Sequence, residues 1–291
     1  HAEVIARLSK HLPPPIAPAT AQNTAAPAGK KGKKGKAPEA PAPKAGATRD
    51  RGAMFDGRDL NMLVIGEPEA GKKKVWVIAR QHPGETMAEW LVEGLLDRLL
   101  DEDDGVARAL LDKAVFYIVP NMNPDGSVRG HLRTNAAGMN LNREWLNPSM
   151  EKSPEVYLVR QKMLETGVDL FLDMHGDENL PYNFVAGTEG VPSYNERIQK
   201  LEQLFKQTLL AVTPEFQTQY GYELDAPGKA NMTVATSWVG DQFNCLAYTV
   251  EMPFKDNANL PDAAYGWSDV RSMKLGQDML PAILAVVDTL R

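Results

Sequence analysis

Residues 168–178 read VDLFLDMHGDE. The first seven are apolar apart from Asp169 and Asp173, and the run stops at His175, where polar residues take over. A short, nearly continuous apolar run of this kind suits a strand covered on both faces. Two more runs have the same character, VWVIA at 75–79 and VFYIV at 115–119. Further β-rich stretches lie at 61–66 and 245–251, and helical patterns fill 86–100, 154–165, 193–210 and 261–290. This alternation predicts a three-layer α/β/α sandwich with a mixed, mainly parallel central sheet.

The rest of the composition agrees. With 291 residues, 43% hydrophobic and 24% charged, the chain can bury a large core. Its net charge of −6 is unevenly spread: residues 1–50 hold 9 Lys/Arg against 3 Asp/Glu, leaving 23 against 35 in the remainder. An acidic body argues against nucleic acid as the principal partner. The single cysteine, Cys245, permits no intrachain disulfide, so a reducing compartment, the cytoplasm, is expected. No apolar run reaches the roughly 18–20 residues of a membrane span.

Three regions follow from this pattern. Residues 1–12 read as a short helix, the remnant of a junction to a further N-terminal domain. Residues 13–50 are rich in Pro, Ala and Lys, with the basic run KKGKKGK at 30–36 and no aromatic side chain. Such a stretch buries too little apolar surface to offset its ordering entropy and is expected to be disordered, as a solvated insert or as a tail for anionic surfaces. Residues 51–291 are expected to form one catalytic domain.

The unusual polar residues fall just after the strands, where open α/β sheets bind ligands. His82 and Glu85 (QHPGET) follow the run at 75–79, and His175 follows the run at 168–174. Two imidazoles and one carboxylate are a three-ligand zinc set that leaves a fourth position for water. Glu251 (YTVEMPF) ends an apolar strand, an expensive place for an unpaired carboxylate, and reads as a general base unless a surface lysine pairs with it. Residues 119–145, VPNMNPDGSVRGHLRTNAAGMNLNREW, read as a long functional loop. Its Arg133, Asn142 and Arg143 can donate charge-assisted hydrogen bonds to an oxyanion and to a carboxylate.

These motifs, HPGE, NPDG with GMNLNREW, DMHGDE and YTVEMPF, resemble in type and order those of the zinc carboxypeptidases, and most closely the cytosolic carboxypeptidase branch. The resemblance runs from about residue 60 to the C-terminus. It implies one Zn2+ held by His82, Glu85 and His175, with Arg133 stabilising the oxyanion and Arg129 a weaker candidate for that role. It further implies that Asn142 and Arg143 hold the terminal carboxylate of a peptide or protein tail, and that Glu251 moves the proton. Where many relatives have an Asp orienting a zinc histidine, this chain has Asn140, a neutral acceptor that raises ligand basicity less. The mobile active-site tyrosine of the family can be Tyr220 or Tyr222. The branch favours C-terminal glutamate and usually carries a β-sandwich domain ahead of the catalytic one. Lys229 (APGKAN) is the cation expected near that side chain. The competing readings are a zinc amidohydrolase of the aspartoacylase or succinylglutamate desuccinylase kind, and a non-catalytic binding module on the same scaffold.

Overall fold

A computed structural model describes residues 54–291; the helix expected at 1–12 and the Pro/Ala/Lys-rich stretch at 13–50 lie outside the described residues. Among the described residues, six strands form one sheet: β1 (Leu63–Ile65), β2 (Lys73–Ala79), β3 (Ala114–Val119), β4 (Leu170–Asp177), β5 (Phe184–Ala186) and β6 (Leu246–Pro253). Their order is β1-β3-β2-β4-β6-β5. The inner pairings β3·β2, β2·β4 and β4·β6 are parallel, and the outer pairings β1·β3 and β5·β6 are antiparallel. The sheet is therefore mixed and mainly parallel, as expected.

Helices cover both faces. α1 (Met87–Leu99), α2 (Gly105–Lys113), α5 (Glu196–Val212) and α7 (Asp269–Val287) pack on one side, while α4 (Pro154–Thr166) and α6 (Ala235–Phe243) pack on the other. Alternation along each strand divides the core: Val75, Val77 and Ala79 face the first layer, Trp76 and Ile78 the second. Each large side chain buried in this way contributes about 1.5–3 kcal/mol of transfer free energy, before ordering costs. α1 and α7 cross closely because glycines meet backbone there. A Cβ on Gly94 would lie 2.0 Å from the Met273 carbonyl oxygen, and one on Gly276 would lie 2.0 Å from that of Leu91. Pro281, inside α7, cannot donate to Gln277 O, which instead accepts from Arg98 Nη1 at 2.9 Å.

Four elements were not expected. α2 buries only Ala107 and Leu110 and begins at Asp104, whose carboxylate accepts from Val106 N and Ala107 N. β5 is a three-residue edge strand registered only against β6. α3 (Pro124–Arg129) and a 3-10 turn at Leu141–Arg143 lie inside the segment read as loop. Asn123 caps α3 through Gly126 N, and Pro124 occupies its first turn, a helix-start signal within the stretch read as loop.

Candidate active site

The chain leaves β2 toward β3 on one side, while β4 pairs on the other, so the carboxyl ends of β2 and β4 flank a topological switch point. His82 and Glu85 lie in the turn between β2 and α1, which is tied down by a hydrogen bond from Gly84 N to Leu132 O of 2.8 Å. His175 and Glu251 come together through strand register, since their Cα positions are partners in the parallel β4·β6 pair. All four line a cavity of about 710 Å3.

His82, Glu85 and His175 are buried, with one potential ligand atom from each lying within 4.8 Å of the others. His82 Nδ1 is 2.7 Å from Glu85 Oε1, and His175 Nδ1 is 2.7 Å from Glu85 Oε2. The outer nitrogens face acceptors: His82 Nε2 is 2.9 Å from Asn140 Oδ1, and His175 Nε2 is 2.9 Å from Asp173 Oδ2. Protons held at both Nε2 atoms leave the Nδ1 lone pairs pointing inward beside a carboxylate. This donor set fits zinc. Burial would raise the Glu85 carboxyl, but the charge and hydrogen bonds of His175, then of His82, outweigh it and bring it to about 2. Burial opposes a charge on His175, yet Asp173 and Glu85 draw its pKa well above the ordinary imidazole value. Surroundings this negative stabilise a cation.

Glu251 is 6% exposed, its Oε1 lies 2.9 Å from the Tyr222 hydroxyl, and its Oε2 has no hydrogen-bond partner among the described residues. Burial pushes its pKa up to about 8; His175 and the Tyr222 hydrogen bond pull it down, and the charges of Glu85 and Asp177 raise it. No lysine pairs with it among the described ion pairs. Of the two tyrosines left open by the sequence, Tyr222 reaches Glu251, whereas Tyr220 stacks on Tyr182 at 4.3 Å between ring centroids.

The segment 119–145 delivers its polar residues to the same cavity. Arg133 lies on the wall, with Nη1 4.0 Å from Glu85 Oε1 and its side chain 44% exposed. Asn142 is held by its amide oxygen, which accepts from Ala235 N at 2.8 Å, leaving its NH2 group as a donor. Arg143, exposed, lines the wall and uses Nη1 on Asn142 O at 2.6 Å. Buried Trp145 anchors the segment, donating to Gln81 Oε1 at 2.8 Å.

Two expected residues lie elsewhere. Arg129 is committed to Asp56, with Nε to Oδ2 at 2.9 Å and Nη2 to Oδ1 at 2.6 Å, and does not line the cavity. Lys229 is exposed on a turn after Gly228 (φ +73°) and also stays outside. The lysine on the cavity wall is Lys206 of α5, 3.3 Å from Glu189 Oε1. Lys206 sits within a helical pattern, so nothing local in the sequence marked it.

Comparison with known proteins points to one family. Residues 42–267 match the family model described as zinc carboxypeptidase. An uncharacterized protein of Zymomonas mobilis is 52% identical over 239 residues, 82% of this chain and 62% of that protein. Mouse cytosolic carboxypeptidase 6 is 28% identical over 240 residues, 78% of this chain and 44% of that protein. The crystal structure of a metallo-carboxypeptidase from Pseudomonas aeruginosa, in complex with (2-guanidinoethylmercapto)succinic acid, superposes with a TM-score of 0.80 at 52% identity, covering 82% of this chain and 64% of that one. The chain thus spans less than two thirds of the length of these relatives. No helix among the described residues is long and apolar enough to cross a membrane. With the family model covering most of the sequence, the chain belongs to the zinc carboxypeptidase family.

Proposed function

We propose that residues 51–291 are the catalytic domain of a metallocarboxypeptidase that removes the last residue from peptide or protein tails. The observation that carries this reading is the placement of Glu251, a buried carboxylate with a free oxygen, on the cavity wall shared by the His82–Glu85–His175 set and by Arg133 and Arg143. One Zn2+ held by that set would supply a water of pKa about 7 and polarise the scissile carbonyl. Glu251 accepts the proton of the attacking water and hands it to the leaving amine nitrogen. Arg133 faces the charge that develops on the carbonyl oxygen. Asn142 and Arg143 hold the terminal carboxylate, Arg143 through a guanidinium suited to bidentate pairing.

The finer part of the proposal is the substrate. The compound in complex with the Pseudomonas relative contains a succinate, whose carboxylates are the kind of group Arg143 suits. A preference for C-terminal glutamate is supported by Lys206 on the cavity wall and by the likeness to proteins named cytosolic carboxypeptidases. A cytoplasmic location belongs to the same proposal, in keeping with the lone buried Cys245. Mass spectrometry of a peptide library incubated with the zinc-loaded protein tests the reading. Stepwise loss of C-terminal residues is the expected result, and internal cleavage or no cleavage would overturn it.

A further inference from the structure

The two histidines of the site differ in what stands behind them. At His82 the outer acceptor is the amide oxygen of Asn140, which is neutral and also accepts from Asn142 N at 3.0 Å. At His175 it is Asp173, a carboxylate fully buried in the middle of β4. Asp173 and His175 are two residues apart on one strand and share a face, so the carboxylate reaches His175 Nε2 at 2.9 Å. Gln81 Nε2 donates to the same oxygen, Asp173 Oδ2, at 2.6 Å. Gln81 is itself fixed at both ends: its side-chain oxygen accepts from Trp145 Nε1 at 2.8 Å and its backbone oxygen from Asn123 Nδ2 at 3.0 Å. Asp173 Oδ1 finds no partner among the described residues, and His175 is its ion-pair partner there. A carboxylate buried in a sheet interior is costly unless a cation faces it. A lone imidazole supplies that charge only as imidazolium, whereas a neutral imidazole carrying a divalent cation on its other nitrogen also supplies it.

We propose that Asp173 is a positioning residue for the metal centre: it orients His175 and raises its basicity, the duty that a neutral Asn140 performs only weakly at His82. Gln81 and Trp145 act through Asp173 by holding its carboxylate in place. The proposal rests on the reading of His82, Glu85 and His175 as zinc ligands. It also accounts for the charge of the buried centre, because Glu85 and Asp173 together balance one divalent cation bound by two neutral imidazoles.

Zinc affinity of the folded protein, measured by competition with a chromophoric chelator, tests the proposal without reference to turnover. Asp173→Asn should weaken zinc binding by about 10–100-fold, the usual cost of removing an acceptor behind a ligand. Adding Asn140→Asp to that variant places the anion behind His82 instead, and should recover most of the loss. The same change in the parent should gain less, because one anion is already there. A merely structural Asp173 cannot be replaced from the opposite histidine. Affinity for zinc in Asp173→Asn within about twofold of the parent, or no gain from Asn140→Asp in that background, overturns the proposal. If Asp173→Asn does not fold, Gln81→Met removes the donor to Oδ2 while keeping the carboxylate. Several-fold weaker zinc binding, restored by Asn140→Asp, supports the proposal, and unchanged affinity overturns it. A parent protein that takes up no zinc overturns the ligand reading and this proposal with it. A zinc-binding parent matched by Asp173→Asn overturns this proposal alone.

Discussion

The Tyr222 hydroxyl lies 2.9 Å from Glu251 Oε1 and 2.6 Å from Asp177 Oδ2. A phenol has one hydrogen to give. That hydrogen serves one of the two carboxylates at a time, and donation to Glu251 favours the charged form that a proton acceptor needs, against the burial that raises its pKa to about 8. Tyr222 thus donates to Glu251 or to Asp177, and the contact keeps the Glu251 carboxyl aimed along the cavity wall. Removing the hydroxyl in Tyr222→Phe should lower kcat/KM by about fivefold to tenfold, the worth of one hydrogen bond, with zinc content unchanged. Tyr220→Phe should have no effect, because that ring is held by stacking on Tyr182. Equal losses in the two variants would show that the contact to Glu251 is not what matters.

Zinc retention separates ligands from the proton-transfer group. His175→Ala should lose the metal in elemental analysis, since it removes one of three closely spaced donors. Glu251→Gln should keep zinc and fold while turnover falls by about 10²–10⁴. Retained zinc in the first variant argues against His175 as ligand. Comparable turnover in the second moves the base elsewhere, with Glu178, which also lines the cavity, the next carboxylate to replace.

Recognition of a free C-terminus rests on Arg143 and Asn142. C-terminally amidated peptides should be cleaved poorly, and Arg143→Ala should raise KM by about 10–100-fold, in line with the 1.5–3 kcal/mol of a charged hydrogen bond. Peptides cut equally well in both forms would point to an amidase or an endopeptidase.

Side-chain preference distinguishes two lysines. Lys206→Ala should reduce any preference for C-terminal glutamate, while Lys229→Ala, outside the cavity, should leave it intact. The effect should stay below about tenfold, because Glu189 already partners Lys206 and a substrate carboxylate has to compete with it. Preference for apolar or basic C-termini in the parent would end the glutamate reading.

Glu202 on α5 is 2% exposed, with Tyr194 Oη at 2.8 Å and Thr188 N at 3.1 Å. Burial first, and the charge of Glu189 second, raise its carboxyl from 4.5 to about 7 against those hydrogen bonds and Lys206. A folded pKa above the unfolded one means that the native state holds the extra proton between about 4.5 and 7. Stability associated with Glu202 is thus full below pH 4.5 and falls as pH rises toward 7, by on the order of 3 kcal/mol at most. Glu202→Gln should flatten this decline, so its melting temperature relative to the parent should be higher at pH 7.5 than at pH 5. An equal difference at both pH values would show that Glu202 ionises normally.

The strands and the donor types were legible in the sequence for local reasons. Continuous apolar runs marked β2, β3 and β4, because a strand covered on both faces cannot carry alternating polar residues. His82, Glu85, His175 and Glu251 stood out because polar groups at the ends of such runs are costly unless employed. The short elements were hidden for the converse reason. α2 buries only Ala107 and Leu110, and β5 owes its conformation to β6, so neither carries a periodic signal of its own.

Convergence was decided only by tertiary structure. Sequence spacing says nothing about parallel register, and it is the β4·β6 register that pairs His175 with Glu251 across 76 positions of chain. The same packing brings Tyr222 rather than Tyr220 to Glu251, and Lys206 rather than Lys229 to the cavity wall, while Asp56 takes Arg129 away. Asp173, which the sequence showed only as an interruption in an apolar run, gains its meaning from His175 and Gln81 at its oxygen. A side chain's chemistry belongs to its residue type. The energy of burying it depends on which groups from distant parts of the chain face it, and those are set by the fold.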